Sequence, residues 1–230
     1  MLRLLKNTFL DSTYITKYRL SNSIESILTQ VDLNGLNCLD VGCGNRPYEY
    51  LFKGAKYLGI DVEVSGREIY LKQPDLFYDG INIPFENEKF DLVFCTQVLE
   101  HVSDPFSLIR EMNRVLKPNG KLIISLPFSW QEHEEPYDFF RFSSFGISHL
   151  LNMSGFKIEK LKKDSGAIDT LTTLFIVYLG NNLVPKIYGF SKLFTLLCFP
   201  IQIFSLFCSS FFPDKGQLYL NLVIQAKKNK

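Results

Sequence analysis

The residues equipped for ligand chemistry stand at the ends of apolar runs. Leu36 to Val41 reads as a buried strand, and it runs into the turn Leu39-Asp40-Val41-Gly42-Cys43-Gly44. Glycines there let the backbone approach a ligand and open a helix N-terminus onto it. A lone G-x-G is also what a plain tight turn looks like. A dinucleotide fingerprint needs a third glycine at position 47, where this chain has Pro47, which weighs against NAD or FAD. Asp61 closes the next run, Tyr57 to Ile60, about twenty residues past the turn, where a carboxylate can take both ribose hydroxyls. A solvated strand-end acid is the alternative. Asp79 closes Leu76 to Tyr78, where it can accept the exocyclic amine of adenine, with Gly80 and Ile81 offering backbone N–H groups. Ligands of open α/β sheets gather at the carboxyl ends of strands, so these turns are expected to converge.

A second group follows the run Lys121 to Pro127. It comprises Gln131-Glu132-His133-Glu134-Glu135 and then Tyr137, Asp138, Phe139, Phe140 and Arg141. A loop in that place covers whatever reacts at the strand ends. His133 is the candidate general base, since an imidazole titrates near neutral pH; the bland reading is a loop histidine bonded to neighbouring acids. Arg141 either pairs with an acidic ligand or ties the loop to Asp138. Adjacent acids in a solvated loop are common, so no metal site is expected. Cys43 reads as a small apolar filler rather than a reactive thiol. Glu100-His101, expected on a helix start, reads as packing, and His149 as surface or packing.

The elements that must position these residues alternate. Strands are expected at Leu36–Val41, Tyr57–Ile60, Leu76–Tyr78, Phe90–Cys95, Lys121–Pro127, Phe156–Leu161 and Gln217–Ala226, with a short helix at Tyr48–Phe52. Ser103 or Asp104 can cap a helix with Pro105 in its first turn, whose apolar face is Phe106, Ile109, Met112 and Leu116. Lys117-Pro118-Asn119-Gly120 is its expected terminator. Ser143 caps another helix through Met153. Such alternation implies a mostly parallel sheet covered on both faces.

Composition narrows the classes. The chain has 230 residues, 46% of them hydrophobic, enough for a large core, and a net charge of +1 that carries no basic signature of nucleic-acid binding. Its five cysteines form no C-x-x-C pair, which suits a reducing compartment. The N-terminal stretch lacks the continuous apolar core of a signal peptide.

Taken in order, LDVGCG, GIDV, YDGINIPFENEKFDLVFCTQVLEHV, RVLKPNGKLIISLPF and HEEPYDFFRFSSFGISHLLNMSGF resemble the motifs of class I S-adenosylmethionine-dependent methyltransferases, close to the type 11 branch. The resemblance covers roughly residues 36 to 162 and resumes at the last strand. It implies a Rossmann-like α/β fold with a seven-stranded, mostly parallel sheet and an antiparallel last strand. It also implies S-adenosylmethionine as cofactor. Asp40, Gly42, Cys43 and Gly44 would line the methionine part, Asp61 with Val62 the ribose, Asp79 with Gly80 the adenine, and Cys95, Thr96 and Gln97 the methyl group. Tyr137, Asp138 and Arg141 would meet the acceptor. The usual helix after the second strand is shortened or absent. Cys95-Thr96-Gln97-Val98 is not the Asn/Asp-Pro-Pro-aromatic signature of many amino-nitrogen methyltransferases, which favours an acceptor of another class. The expected activity is methyl transfer at oxygen to a small-molecule, glycan or lipid-linked acceptor. A non-catalytic cofactor-binding scaffold and a nucleotide-dependent oxidoreductase are the rivals.

The domain is expected to be single, with an N-terminal helical extension over 1–34 and an apolar helical insertion over 167–212. Between Thr170 and Phe212 only Lys186 and Lys192 are charged. Leu193 to Phe212 is long enough to cross a bilayer, but Pro200 interrupts it and the last strand must return to the sheet. Two surface helices are expected, covering the acceptor site, forming a homodimer, or resting in a lipid interface with Lys186 and Lys192 towards anionic headgroups. The expected location is cytoplasmic with peripheral membrane contact, and no nucleic-acid partner.

Overall fold

The computed structural model describes residues 11–63, 72–185 and 188–229. The expectations for Lys186 and for the first ten residues of the N-terminal extension lie outside the described residues. Contacts divide the chain into two compact units, Met1–Ile24 with Lys163–Asn221, and Glu25–Lys162 with Leu222–Lys230.

The second unit holds the sheet. Its strands are β1 (Asn37–Val41), β2 (Lys56–Val62), β3 (Leu76–Tyr78), β4 (Phe90–Thr96), β5 (Leu116–Pro127), β6 (Phe156–Lys163) and β7 (Asn221–Lys228), in the order β3-β2-β1-β4-β5-β7-β6. The central strands are apolar on both faces, as a sheet covered on both sides requires: Cys38, Leu39, Val41, Leu92, Val93, Phe94 and Leu122 to Ile124 are all buried. β1 to β5 pair in parallel, and the order reverses direction of growth at β1 and β4. Crevices at such reversals receive ligands. β7 runs antiparallel: the Asn229 N–H donates to the Gly155 carbonyl at one end, and the Asp164 N–H donates to the Asn221 carbonyl at the other.

The helices of this unit follow their caps. Asp104 accepts from the Ser107 N–H, Pro105 opens the first turn, and the helix runs Pro105–Val115. Its buried stripe is Leu108, Ile109, Met112 and Val115. The expected terminator is absent in that form: the helix stops at Val115, and Leu116 to Gly120 already belongs to β5, with Asn119 at φ 64°. The register shift between Phe90 and Leu92 absorbs the irregularity. Ser143 caps the helix Ser144–Met153 by accepting from the Gly146 N–H. The expected short helix after the glycine turn is a single 3-10 turn, Glu49–Leu51.

The first unit is helical. Numbered in chain order with the two helices just described as α2 and α3, its helices are α1 (Tyr14–Leu28, shared at its end with the second unit), α4 (Ala167–Asn182) and α5 (Tyr188–Ser209). Inside it, Asp169 on α4 is fully buried and accepts from Arg19 Nε at 2.9 Å and from Ser205 Oγ at 3.0 Å. Arg19 also donates to Ser209 Oγ at 2.7 Å. Gln202 on α5 accepts from the Ile15 N–H and donates to the Asp11 carbonyl.

Candidate active site

The carboxyl ends of β1, β2, β3 and β4 surround a cavity of about 290 Å³, lined among others by Gly42, Asp61, Gly80, Gln97, His101 and Tyr137. Val62, Asp79, Glu134 and Phe139 complete much of the wall. Each part follows from local chemistry. Gly42 takes φ +69°, and a Cβ there would stand 2.3 Å from Val98 Cγ2. Only glycine lets the turn pass under Val98. The Gly42 and Cys43 N–H groups both donate to the Ile60 carbonyl at the end of β2.

Asp61 is buried, and its two oxygens are fixed by the Gly44 N–H at 2.7 Å and the Val62 N–H at 2.8 Å. Held in this way, the Asp61 carboxylate lines the cavity. Asp79 is spent differently. It accepts from the Ile81 and Asn82 N–H groups and from Asn82 Nδ2, and the Asn82 amide first of all holds its carboxyl below the ordinary value. Ile81 N–H is therefore committed to the turn rather than offered to a ring.

Other expected residues stand off the cavity wall. Cys43 is buried with its sulfur facing β2, 2.8 Å from where a Gly59 Cβ would sit. Asp40 is 2% exposed; it accepts from Tyr57 Oη at 2.5 Å, and its Oδ1 has no partner. Burial pushes its carboxyl up to about 7. Cys95 is buried in β4, with its thiol driven well up by burial. Thr96 pairs in register with Ser125 of β5, and Gln97, at φ 54°, donates from its backbone to the Ser125 carbonyl. A glutamine in the left-handed region at a cavity wall is the kind of strain that functional sites hold.

The loop after β5 folds back on the turn after β4. That turn is a 3-10 turn, Leu99–His101, not the helix start expected there. The Phe139 and Phe140 N–H groups donate to the Glu100 carbonyl, and His101 Nδ1 donates to the Tyr137 carbonyl at 2.8 Å. His101 therefore lies in the cavity wall. Its ring meets that of His133 edge-on, with centroids 4.8 Å apart. His133 Nδ1 contacts Asp138 Oδ2 at 3.2 Å, and Asp138 is clamped by both terminal nitrogens of Arg141. That clamp holds Asp138 down to about 2. Arg141 and Asp138 thus tie the loop together, while Tyr137 reaches the cavity. Burial keeps His101 below its ordinary value and raises Glu100 to about 8.

Residues 39–124 match the Methyltransferase domain family. Two similar curated proteins are ubiquinone biosynthesis O-methyltransferases: one from Histophilus somni (strain 2336), 37% identical over 114 residues, covering 42% of this chain and 48% of that protein, and one from Pseudomonas fluorescens (strain Pf0-1), 33% identical, covering 42% and 46%. The chain thus spans about half the length of the curated relatives it matches. Among solved structures, an S-adenosylmethionine-dependent methyltransferase from Mesorhizobium loti matches with TM-score 0.56 at 15% identity, covering 95% of this chain and 100% of that one. The [4+2]-cyclase SpnF matches with TM-score 0.57 at 18% identity, covering 90% and 80%. Fold and matched residues together resemble one class, the class I S-adenosylmethionine-dependent methyltransferases, whose solved members share the sheet with an antiparallel last strand.

S-adenosylmethionine is the cofactor of this class, and the residues fit it. The space left by Gly42, the fixed carboxylate of Asp61 and the turn at Asp79-Gly80 stand around one cavity. Sequence reasoning placed Glu134 and Phe139 in the covering loop without singling them out, and it missed His101 as a wall residue. What placed His101 there is its bond to Tyr137, thirty-six residues away, which no local pattern announces.

Proposed function

We propose that the chain transfers a methyl group from S-adenosylmethionine to a hydroxyl oxygen of a small-molecule, glycan or lipid-linked acceptor. One observation supports this most: a single strand-end cavity unites the glycine turn, a fixed ribose-type carboxylate and an imidazole. The relatives carry the printed name of O-methyltransferases, which favours oxygen as the accepting atom. When bound, the cofactor supplies a methyl group on a sulfonium that is already a good leaving group. The protein's task is then mainly positioning, which removes much of the barrier when nucleophile and methyl are aligned.

Asp61 would accept the ribose hydroxyls, and Asp79 with Gly80 would border the adenine. Gly42 would leave room for the methionine part, with Asp40 behind it. Gln97 would border the reacting atoms. Tyr137 and Phe139 would wall the acceptor and exclude water. The hydroxyl proton would pass to the His101–His133 pair, His101 lying in the wall and His133 packed against it. Burial lowers the His101 pKa, which favours the neutral ring, and because Nδ1 donates to the Tyr137 carbonyl the bare nitrogen of that ring is Nε2. A hydroxyl of high pKa needs such a base.

Titration calorimetry with S-adenosylmethionine, S-adenosylhomocysteine and NAD separates this reading from its rivals. Binding of both adenosyl ligands and transfer of labelled methyl into an oxygen acceptor is the expected result. NAD binding alone would support an oxidoreductase. Adenosyl binding with no transfer would support a scaffold, a real alternative because the same fold serves a cyclase. His133→Ala should lower kcat about 10²-fold or more while the cofactor dissociation constant stays within about twofold.

A second reading concerns the first unit and is favoured by an inverted helix. On α5 the buried positions are Cys198, Gln202 and Ser205, while Leu193, Leu196, Leu197, Ile201, Phe204 and Phe207 are more than half exposed. Polar in and apolar out is wrong for water and right for lipid. Gly189–Ser209 has mean hydropathy 1.6 and is mostly exposed within this chain. We propose that this face rests in a membrane interface, as peripheral contact of a cytoplasmic enzyme. Flotation with anionic liposomes should carry the protein up the gradient; a soluble monomer with no liposome or micelle affinity would end that reading.

A further inference from the structure

Glu100 is 0% exposed, and neither of its side-chain oxygens has a hydrogen-bond partner. A buried carboxylate with no donor is costly, and it either keeps its proton or meets a cation. The neighbouring His101 offers no donor either. His101 Nδ1 carries the proton, because it faces the Tyr137 carbonyl, which can only accept. Nε2 therefore presents a lone pair, and it stands 3.8 Å from Glu100 Oε1. Two acceptors at that distance repel unless something positive lies between them.

His133 repeats the pattern. Its Nδ1 faces the Asp138 carboxylate at 3.2 Å and Arg141 Nη2 at 3.4 Å. The two hydrogens of that Nη2 already go to Asp138 Oδ2 at 2.6 Å and to the Gln131 carbonyl at 2.9 Å. Asp138 thus takes the Nδ1 proton, and Nε2 is again the bare nitrogen. Each imidazole has its far nitrogen anchored to an oxygen, the arrangement that orients histidines towards metals. One ligand atom from each of Glu100, His101 and His133 lies within 4.8 Å of the others. Donors about 2.0–2.2 Å from one cation stand about 3–4 Å apart, so a modest contraction would complete the site. Glu134 Oε2, 3.9 Å from His101 Nε2, is placed to join them.

We propose that Glu100, His101 and His133 form a divalent-cation site beside the acceptor end of the cavity. Two imidazoles and a carboxylate suit a borderline transition metal, with zinc the best match, rather than oxygen-seeking ions such as calcium, magnesium or manganese. His101 and Glu134 also line the cavity, so an acceptor oxygen entering there would come within reach of the cation. The cation would lower the pKa of that oxygen and so replace the imidazoles, then held as ligands, as the means of easing off the proton. That last role rests on the methyl-transfer reading; the site itself does not.

The test uses the whole chain, stripped with a chelator and titrated with zinc, and with manganese for comparison, against a chromogenic competitor. Cobalt substitution gives an independent absorption signature of nitrogen ligation. One ion per chain is expected, with Glu100→Gln, His101→Ala and His133→Ala each weakening binding by about tenfold or more. Folding of every variant is checked by circular dichroism and thermal melting, and Glu134→Gln serves as a second, more exposed probe if Glu100→Gln does not fold. Absence of binding to the folded wild type, or binding that none of these changes weakens, overturns the proposal. Cofactor titration of the stripped protein distinguishes the two failures. Metal lost with cofactor binding intact ends only the cation site, whereas no cofactor binding ends the methyl-transfer reading.

Discussion

Two residues of the glycine turn, Gly42 and Asp40, are built into the fold in ways that can be tested. Gly42→Ala would need a side chain at φ +69° and within 2.3 Å of Val98 Cγ2. We expect a stability loss of about 1–3 kcal/mol in urea titration and at least about a tenfold loss of cofactor affinity by calorimetry, since either Val98 or the turn must move. Asp40 gives a pH signature. Burial raises its native pKa to about 7, from an ordinary 3.8 in the unfolded chain. Below the lower value both states hold the proton. Between the two, the native state holds a proton that the unfolded state has released, so stability falls as pH rises, by at most about 1.4 kcal/mol per pH unit. Asp40→Asn should remove this slope. Urea midpoints of wild type and variant at pH 4 to 8 check it: the wild-type advantage should shrink with rising pH and level off above about 7. The placing of Gly42, Asp61 and Asp79 around one strand-end cavity was legible from spacing, while Asp40 stands off its wall. The role of His101 was not, because it depends on a loop folding back from β5.

At the scale of elements, apolar runs and caps read well where the forces are local. The Leu76–Tyr78 strand, the Asp104 cap and the Ser143 cap all stand where the sequence places them. The helix stop did not, because Leu116 to Gly120 is drawn into pairing beside β4, a tertiary effect that overrides a strong local terminator. The inversion of α5 was legible in principle: Cys198, Gln202, Ser205 and Ser209 follow helical spacing. The eye is drawn instead to the surrounding apolar mass. What makes that polar stripe matter is Asp169, fully buried and bonded to both Arg19 and Ser205. Removing one partner of such a pair strands the other. Asp169→Ala should destabilise the first unit by about 3–5 kcal/mol, while Asp169→Asn, which keeps the Ser205 bond and the shape, should cost less. Hydrogen exchange resolved along α1, α4 and α5 would show it; equal protection in wild type and Asp169→Ala would mean the network is idle.

For the whole molecule, chemistry and apolar surface belong to different units. Every cavity residue named above, from Gly42 to Phe139, lies in the second unit, and the inverted helix α5 lies in the first. The alternation of strands and helices made the second unit legible. The first was readable only as a segment short of charge, because what its helices cover depends on long-range packing with α1. The division allows the two proposals to be broken separately. Leu197, Phe204 and Phe207 are exposed on α5, and none of their side chains is among the buried groups that hold the unit together. Changing all three to lysine should leave the Arg19–Asp169 network in place and remove the apolar face. Lysine snorkels at a lipid interface, so three changes are needed to make the loss decisive. We expect liposome flotation to fall to background at physiological ionic strength, while the dissociation constant for S-adenosylmethionine stays within about twofold, because no cavity residue is altered. Retained flotation on anionic but not neutral vesicles would mean that basic charge rather than α5 carries the contact. A parallel collapse of cofactor binding would mean that the apolar face serves the cavity and not a membrane.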